Sequence, residues 1–205
     1  MQQSVYVRVM FVVMLFVISC LAPVGSADIM TYKGMGLRQM VYVHGDGVNR
    51  DVYTGELLIG YQGQDYSSYC VDIYQNVTTC EVTEMPVTSL QNGDMVAYLY
   101  ENLAGQVDTS LEAASLQVAI WELVFEAEGN CLDVESGQFY ITDNAAVALA
   151  AEEILASLPD CYSAAATTMV LHSGAFQDVL VPEPACLSLI VAGALLVIGR
   201  RRRRK

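Results

Sequence analysis

Apolar and polar residues alternate along the chain from Met40 to about Val87, as in "MVYVHG", "GELLIGYQ" and "SSYCVDIYQ". This period of two predicts β-strands, and the polar, glycine-containing stretches "HGDGVNRD" and "YQGQD" predict the turns between them. Strand patterning returns near the end of the chain in "TTMVLHSG" and "FQDVLVP". The pattern therefore predicts strands on both sides of a central region.

That central region, from about Gly93 to Leu158, has helical patterning instead. "DMVAYLYENL" predicts one helix, and apolar residues at helical spacing predict another near Asp143 to Leu158. Between them, Thr109 followed three residues later by Glu112 has the form of a capping box, which marks the start of a helix. Strands, then helices, then strands predict an α+β domain in which a helical insertion packs on a β-sheet or barrel-like core.

The first 27 residues have the pattern of a secretory signal peptide. A polar start with Arg8 leads into the apolar run "VMFVVMLFVISCLA", and "PVGSA" ends on the small residues Gly25 and Ala27. A first transmembrane helix and lipoprotein processing at Cys20 are the alternatives. We expect residues 1–27 to direct export and to lie outside the fold.

The chain ends in "VPEPACLSLIVAGALLVIGRRRRRK", in which a short apolar run separates Pro182, Glu183 and Pro184 from six consecutive basic residues. These parts resemble, in order, the PEP-CTERM sorting signal. The resemblance implies that an exosortase processes residues 182–205 after transient anchoring of their transmembrane helix in the inner membrane, and that the protein then reaches the cell envelope, surface or extracellular matrix. An ordinary tail anchor would explain the helix and the arginines, but not the Pro-Glu-Pro motif.

Residues 28–181 are then one domain, long enough to bury a core. The whole chain has a formal net charge of −13 at pH 7. Seven of its ten Lys and Arg residues lie in the two terminal signals, which leaves Lys33, Arg38 and Arg50 in the domain. Such an acidic domain would repel phosphate backbones, so we expect no nucleic-acid partner.

Gln117 is a polar residue within an otherwise apolar helical stretch, "SLQVAIWEL". It shares one helix face with Trp121 and Val124, so we expect the amide to point into the core. A buried amide without a partner costs roughly 1 to 3 kcal/mol. We expect its partner in "YCVDI", a predicted strand in which Cys70 and Asp72 would face one side.

Two short motifs resemble the signatures of the thioester domains of bacterial surface adhesins. They are Tyr69, Cys70, Val71 and Asp72, and then Leu116, Gln117, Ile120 and Trp121. The resemblance implies an internal thioester between the Cys70 thiol and the Gln117 side chain, supported by Tyr69, Asp72 and Trp121. It implies covalent capture of amine or hydroxyl nucleophiles on a partner, such as a lysine-bearing surface or matrix protein or a polysaccharide. It implies a binding protein that is not an enzyme and needs no cofactor.

The cysteine count supports an alternative. Cys70, Cys80, Cys131 and Cys161 are an even number in an exported domain, for which two disulfides are the usual expectation. If Cys70 is in a thioester, we expect a Cys131–Cys161 bridge and a free Cys80. Two disulfides without a thioester would instead suit a noncovalent structural component of the envelope or of an exopolysaccharide matrix.

Two further patterns are weaker. Cys70 with His44 or His172 could form a cysteine nucleophile and its base, but no family spacing connects them. The oxygen ligands in "HGDGVNRD" do not have the spacing of a calcium loop, so we predict a hairpin turn and no metal site there.

Overall fold

The computed structural model of the protein describes residues 28–45, 47–126, 131–163 and 167–183. Its strands are β1 (Asp28–Gly45), β2 (Val48–Tyr61), β3 (Gln64–Ser68), β4 (Cys80–Pro86), β5 (Tyr140–Thr142), β6 (Thr168–His172) and β7 (Val179–Pro182). Its helices are α1 (Gly93–Leu103), α2 (Ser110–Phe125) and α3 (Ala145–Ala156), and 3-10 turns at Val87–Ser89 and Ala104–Gln106 flank α1. The predicted mixture of strands and helices, with the helices in the middle of the chain, is confirmed.

The seven strands form one antiparallel sheet in the order β3-β2-β1-β4-β6-β7, and β5 pairs with β1. The two ends of this order meet just after β3. There Cys70 forms an isolated bridge with Val179, and the Leu180 N–H donates to the Tyr69 carbonyl at 2.9 Å. The sheet is therefore a nearly closed barrel, and Cys70 lies at the point of closure.

β1 and β2 form a long hairpin whose pairing runs to Gly45 opposite Val48, which confirms the turn predicted at "HGDGVNRD". β1 begins at Asp28, well before the predicted start of strand structure at Met40. The pairing shifts register twice in this early part, so its residues do not keep the alternation from which strands are predicted.

The central helix α2 is enclosed on all sides. Every side chain from Ala113 to Leu123 is buried, and the helix packs against β1, β2, α1 and α3. The predicted capping box is present: the Glu112 N–H donates to the Thr109 hydroxyl at 3.2 Å, and the Thr109 N–H donates to the Glu112 carboxylate at 2.9 Å. A helix that is apolar nearly all round is stable only in such an enclosed position.

The third predicted helix is also present. α3 covers most of the expected range, and Asn144 caps it by accepting a hydrogen bond from the Val147 N–H at 3.2 Å. Strands β6 and β7 coincide with the two predicted near the end of the chain.

The prediction of a strand over Tyr69–Ile73 was wrong. β3 ends at Ser68, and the following residues form a bend in which only Cys70 makes a β-bridge. Asp72 uses its carboxylate to accept the Tyr74 N–H at 2.8 Å, a local turn that competes with strand pairing. The alternation of faces expected for Cys70 and Asp72 therefore does not apply.

The two predicted terminal signals lie outside the described residues, apart from Pro182 and Glu183 of the sorting motif. Pro182 is exposed at the end of β7. No helix in the described part of the chain is both long and apolar enough to cross a membrane.

Candidate functional site

Gln117 and Cys70 are joined by a reciprocal pair of hydrogen bonds. The Cys70 N–H donates to Gln117 Oε1 at 2.8 Å, and Gln117 Nε2 donates to the Cys70 carbonyl at 2.7 Å. Both residues are buried, with Gln117 only 1% exposed. The structure therefore brings together the two residues that the sequence predicts to react, and it satisfies the buried amide through the backbone of Cys70.

The backbone around Cys70 is held by β7 and by Asp178, the residue before it. The Val71 N–H donates to the Asp178 carbonyl at 3.0 Å, and the Tyr69 carbonyl accepts from Leu180. Because these hydrogen bonds lie on both sides of Cys70, its N–H and C=O are fixed in the direction of α2. Closure of the barrel thus positions the thiol-bearing residue.

The Cys70 sulfur contacts the next turn of the backbone. Its Sγ lies 2.7 Å from the Asp72 carbonyl, to which the thiol donates, and the Asp72 N–H approaches the same sulfur at 3.2 Å. Asp72 therefore supports the site through its peptide groups, while its carboxylate makes the turn with Tyr74. A sulfur that accepts an N–H hydrogen bond is better able to carry negative charge as a thiolate.

Burial raises the pKa of the Cys70 thiol, because a thiolate would lose its hydration there. The Asp72 backbone and the Trp121 side chain act in the opposite direction and favour the thiolate, but burial is the larger effect. The free thiol is therefore neutral at neutral pH.

Trp121 forms part of the wall beside the sulfur. It is 3% exposed and packs edge-on against Phe139, with ring centroids 6.0 Å apart. Its indole N–H has no acceptor of ordinary geometry among the described residues, yet it lies near enough to Cys70 to lower the pKa of the thiol. The predicted sharing of one helix face by Gln117 and Trp121 is confirmed by their common position at this site.

Tyr69 has a different place from the other motif residues. Its side chain is fully buried in the core and packs edge-on against Tyr100, with ring centroids 6.4 Å apart. Burial raises the pKa of its hydroxyl. Tyr69 therefore anchors the segment that carries Cys70 by packing in the core and by its backbone bond to β7.

An open cleft of about 350 Å³ leads to Cys70, Gln117 and Trp121. Its other walls come from β1, β2, the segment after β3 and the β6–β7 connection. Two polar side chains secure this segment: Arg50 Nη2 donates to the Ile73 carbonyl at 3.0 Å, and Gln177 Nε2 donates to the Asp72 carbonyl at 2.7 Å. Cys70 and Gln117 are thus buried from bulk solvent but border a cavity that a small ligand could enter.

The two histidines do not form a base for Cys70. The His44 ring lies 2.8 Å from Asn49 Oδ1 and 3.3 Å from Thr142 Oγ1. His172 pairs with Asp178 at 2.8 Å. The Cys70 sulfur instead contacts Asp72, so the described contacts do not connect a Cys–His pair.

The four cysteines of the domain are all free thiols in the structure. Cys70 is buried and Cys80 half-buried, whereas Cys131 and Cys161 are exposed. The Cys131–Cys161 bridge stays a prediction.

Sequence reasoning missed a group of three acids on α2, at its C-cap and on α3, of which Glu122 and Glu126 are buried and Glu152 is half-buried. Glu122, Glu126 and Glu152 each accept a backbone N–H from the segment 133–138, at 2.7 to 2.8 Å. Burial, reinforced by the neighbouring carboxylates, raises the pKa of Glu122 to about 7. The sequence did indicate one member of this group, because Glu122 is a polar residue in the same apolar run as Gln117. Across the described residues, no three His, Cys, Asp or Glu side chains are arranged to hold a metal ion.

No protein-family model matches the chain, and comparisons with curated proteins and with solved structures also find no match. The geometry of the site therefore carries the functional argument.

Proposed function

We propose that this protein is an exported cell-envelope protein that captures a partner covalently through a thioester between Cys70 and Gln117. The observation that carries the proposal is the reciprocal hydrogen bonding of the Gln117 amide with the Cys70 peptide unit. It holds the carboxamide against the residue whose thiol would attack it. Such fixed proximity can replace a bimolecular encounter with effective molarities of about 10⁵ to 10⁸ M.

The first step forms the thioester. The Cys70 sulfur attacks Cδ of Gln117, a C–S bond forms, the C–N bond of the amide breaks, and ammonia leaves with the thiol proton. During the attack negative charge develops on Gln117 Oε1, which already accepts the Cys70 N–H at 2.8 Å. A fixed donor at this position stabilises the charge in a site with little water.

The second step transfers the acyl group to a partner. A primary amine attacks the thioester carbonyl, a C–N bond forms, the C–S bond breaks, and the amine proton passes to the sulfur. The leaving thiolate would accept a hydrogen bond from the Asp72 N–H, whose nitrogen lies 3.2 Å from the sulfur. The indole N–H of Trp121 lies nearby and also favours the thiolate. The partner ends as an amide of Gln117, or as an ester where a hydroxyl attacks, and Cys70 is again a thiol.

The terminal signals complete the proposal. The signal peptide would export the chain, and the Pro182–Glu183–Pro184 motif, apolar run and basic end would pass it to an exosortase. A lysine-bearing surface or matrix protein would then be captured at the cell envelope. The scarcity of lysine in the domain supports this use, because Lys33 pairs with Asp65 and is the sole lysine in residues 28–183. Few of its own amines could consume the electrophile.

Methylamine tests the proposal. It should add to the protein at Gln117, as found by peptide mapping, and free one thiol at Cys70 for alkylation. Gln117→Ala and Cys70→Ala should each abolish both signals, while Cys131→Ala should leave them. Methylamine that adds nowhere while Cys70 is found in a disulfide would favour the alternative, a noncovalent structural component of the envelope or matrix.

A further inference from the structure

Two buried polar atoms at the cleft have no hydrogen-bond partner among the described residues. They are Gln75 Oε1 and Trp121 Nε1, and both residues line the cavity that leads to Cys70 and Gln117. Buried polar atoms are partnered in roughly 90% of cases or more, so an unpaired one requires an explanation. One of the two is an acceptor and the other a donor, which suggests that the cleft receives a polar ligand.

The indole N–H already has a role beside the Cys70 sulfur, whereas Gln75 Oε1 has no donor near it. The backbone on both sides of Gln75 is nevertheless held in place by hydrogen bonds. The neighbouring Asn76 carbonyl accepts from the Gln177 N–H at 3.3 Å, and the same glutamine's side chain holds the Asp72 carbonyl. Contacts on both sides of Gln75 in the chain therefore fix its backbone at the cleft wall. The terminal amide has a broad torsional range, and its rotation would bring the covered acceptor to the cleft.

The rest of the cleft indicates which donor would fit. Its walls include the apolar side chains of Met35, Leu57 and Val77, which could contact a methylene chain. Arg50 and Asp51 lie at the same cleft with opposite charges, so neither sign dominates there. A linear primary alkylamine such as a lysine side chain combines an apolar stem with an N–H donor at its end.

We infer that Gln75 is a positioning residue for the incoming amine: its Oε1 accepts an N–H hydrogen bond from the nitrogen that attacks the thioester, and it thereby selects alkylamines over water. This inference rests on the proposed thioester. As the amine nitrogen bonds to the carbonyl carbon it becomes positively charged, so its N–H bond to Gln75 strengthens in the transition state. Hydroxide, which hydrolyses the same thioester, develops no such cationic donor.

The test compares capture with hydrolysis in the full exported chain. Intact mass first gives the fraction that has lost ammonia, and the rates of reaction with n-butylamine, with methylamine and with water at fixed pH are then followed. We expect n-butylamine to react faster than methylamine, because only its stem reaches the apolar walls. Gln75→Leu should still lose ammonia but should lower the ratio of n-butylamine capture to hydrolysis about tenfold.

Gln106→Leu is the matched control, because Gln106 is exposed and does not line the cleft; its ratio should equal that of the parent. A thioester merely displaced by the substitution would change both rates together and leave the ratio unaltered. An unaltered ratio in Gln75→Leu with full ammonia loss would overturn the inference while leaving the thioester intact. Absence of ammonia loss in the parent would overturn the thioester, and this inference with it.

If Gln75→Leu does not fold, Gln75→Glu tests the inference in its place. The carboxylate also accepts an N–H hydrogen bond and attracts the developing positive charge, so the ratio should equal or exceed that of the parent. A ratio about tenfold below the parent in this variant would contradict an acceptor role.

Discussion

The Gln117 side chain and the Cys70 peptide unit satisfy each other's hydrogen bonds, with an N–H donated in each direction at 2.8 and 2.7 Å. The contact uses the backbone of Cys70 and not its sulfur. It follows that truncating Gln117 and truncating Cys70 should lower the free energy of unfolding by different amounts.

Gln117→Ala should therefore destabilise the domain more than Cys70→Ala does. The first variant leaves a buried N–H and C=O unpaired, each of which costs about 1 to 3 kcal/mol, whereas the second keeps both hydrogen bonds. Urea unfolding of the two variants, neither of which can form a thioester, measures the difference. Equal stabilities would mean that the reciprocal pair contributes little to the fold.

Trp121→Phe should slow amine capture while leaving the thioester in place. Phenylalanine keeps an apolar ring against Phe139 but removes the N–H near the sulfur, so the leaving thiolate loses one donor. We expect a decrease of about tenfold in the methylamine rate, at an ammonia loss equal to that of the parent. A rate equal to the parent's would show that the indole only fills space.

Much of this site follows from the sequence. The capping box predicted the start of α2, and helical spacing predicted that Gln117 and Trp121 share a face, because both signals depend on neighbours within a few residues. The pairing of Gln117 with the segment at Cys70 came from the motif resemblance, and the described contacts confirm that the two residues meet.

The parts that were missed depend on distant segments. Tyr69–Ile73 was predicted as a strand, but its partner β7 meets it for a single bridge and the Asp72 turn ends the pairing. The early half of β1 escaped prediction because its register shifts remove the alternation. Gln75 has no local signal at all, since its importance comes from a cleft assembled from five separate parts of the chain.

Glu122→Gln should change how stability depends on pH. The folded-state pKa of Glu122, about 7, lies above its ordinary value of 4.5, so the folded protein binds more protons than the unfolded chain between these values. The contribution of the Glu122 carboxyl to the free energy of unfolding therefore falls as pH rises from about 4.5 to 7. The carboxylates of Glu126, Glu152 and Asp133 act in the same direction on it.

The glutamine variant should be more stable than the parent at pH 8, by roughly 1 to 3 kcal/mol, because at that pH the parent buries a charged carboxylate and the variant does not. The two proteins should converge near pH 4.5. Glu153→Gln, on an exposed position of α3, is the control and should show no such convergence. Parallel stability profiles for Glu122→Gln and the parent would contradict the assignment.

The proposed sorting signal gives a separate prediction. Changing Pro182 and Pro184 together to alanine should leave export unaffected but should stop processing, so that the full-length chain accumulates in the inner membrane. Fractionation followed by detection of the domain measures this. Arrival of the doubly substituted protein at the surface in parental amounts would favour an ordinary tail anchor.

The most direct measurement is the intact mass of the mature domain. Joining the Cys70 sulfur to the Gln117 acyl carbon expels the amide nitrogen, whereas a disulfide removes only two hydrogens. We predict a mass lower than that of the sequence by one ammonia, in addition to any disulfide hydrogens, and restoration of that ammonia in Cys70→Ala. A mass that lacks only disulfide hydrogens, together with a disulfide-linked peptide containing Cys70, would contradict covalent capture.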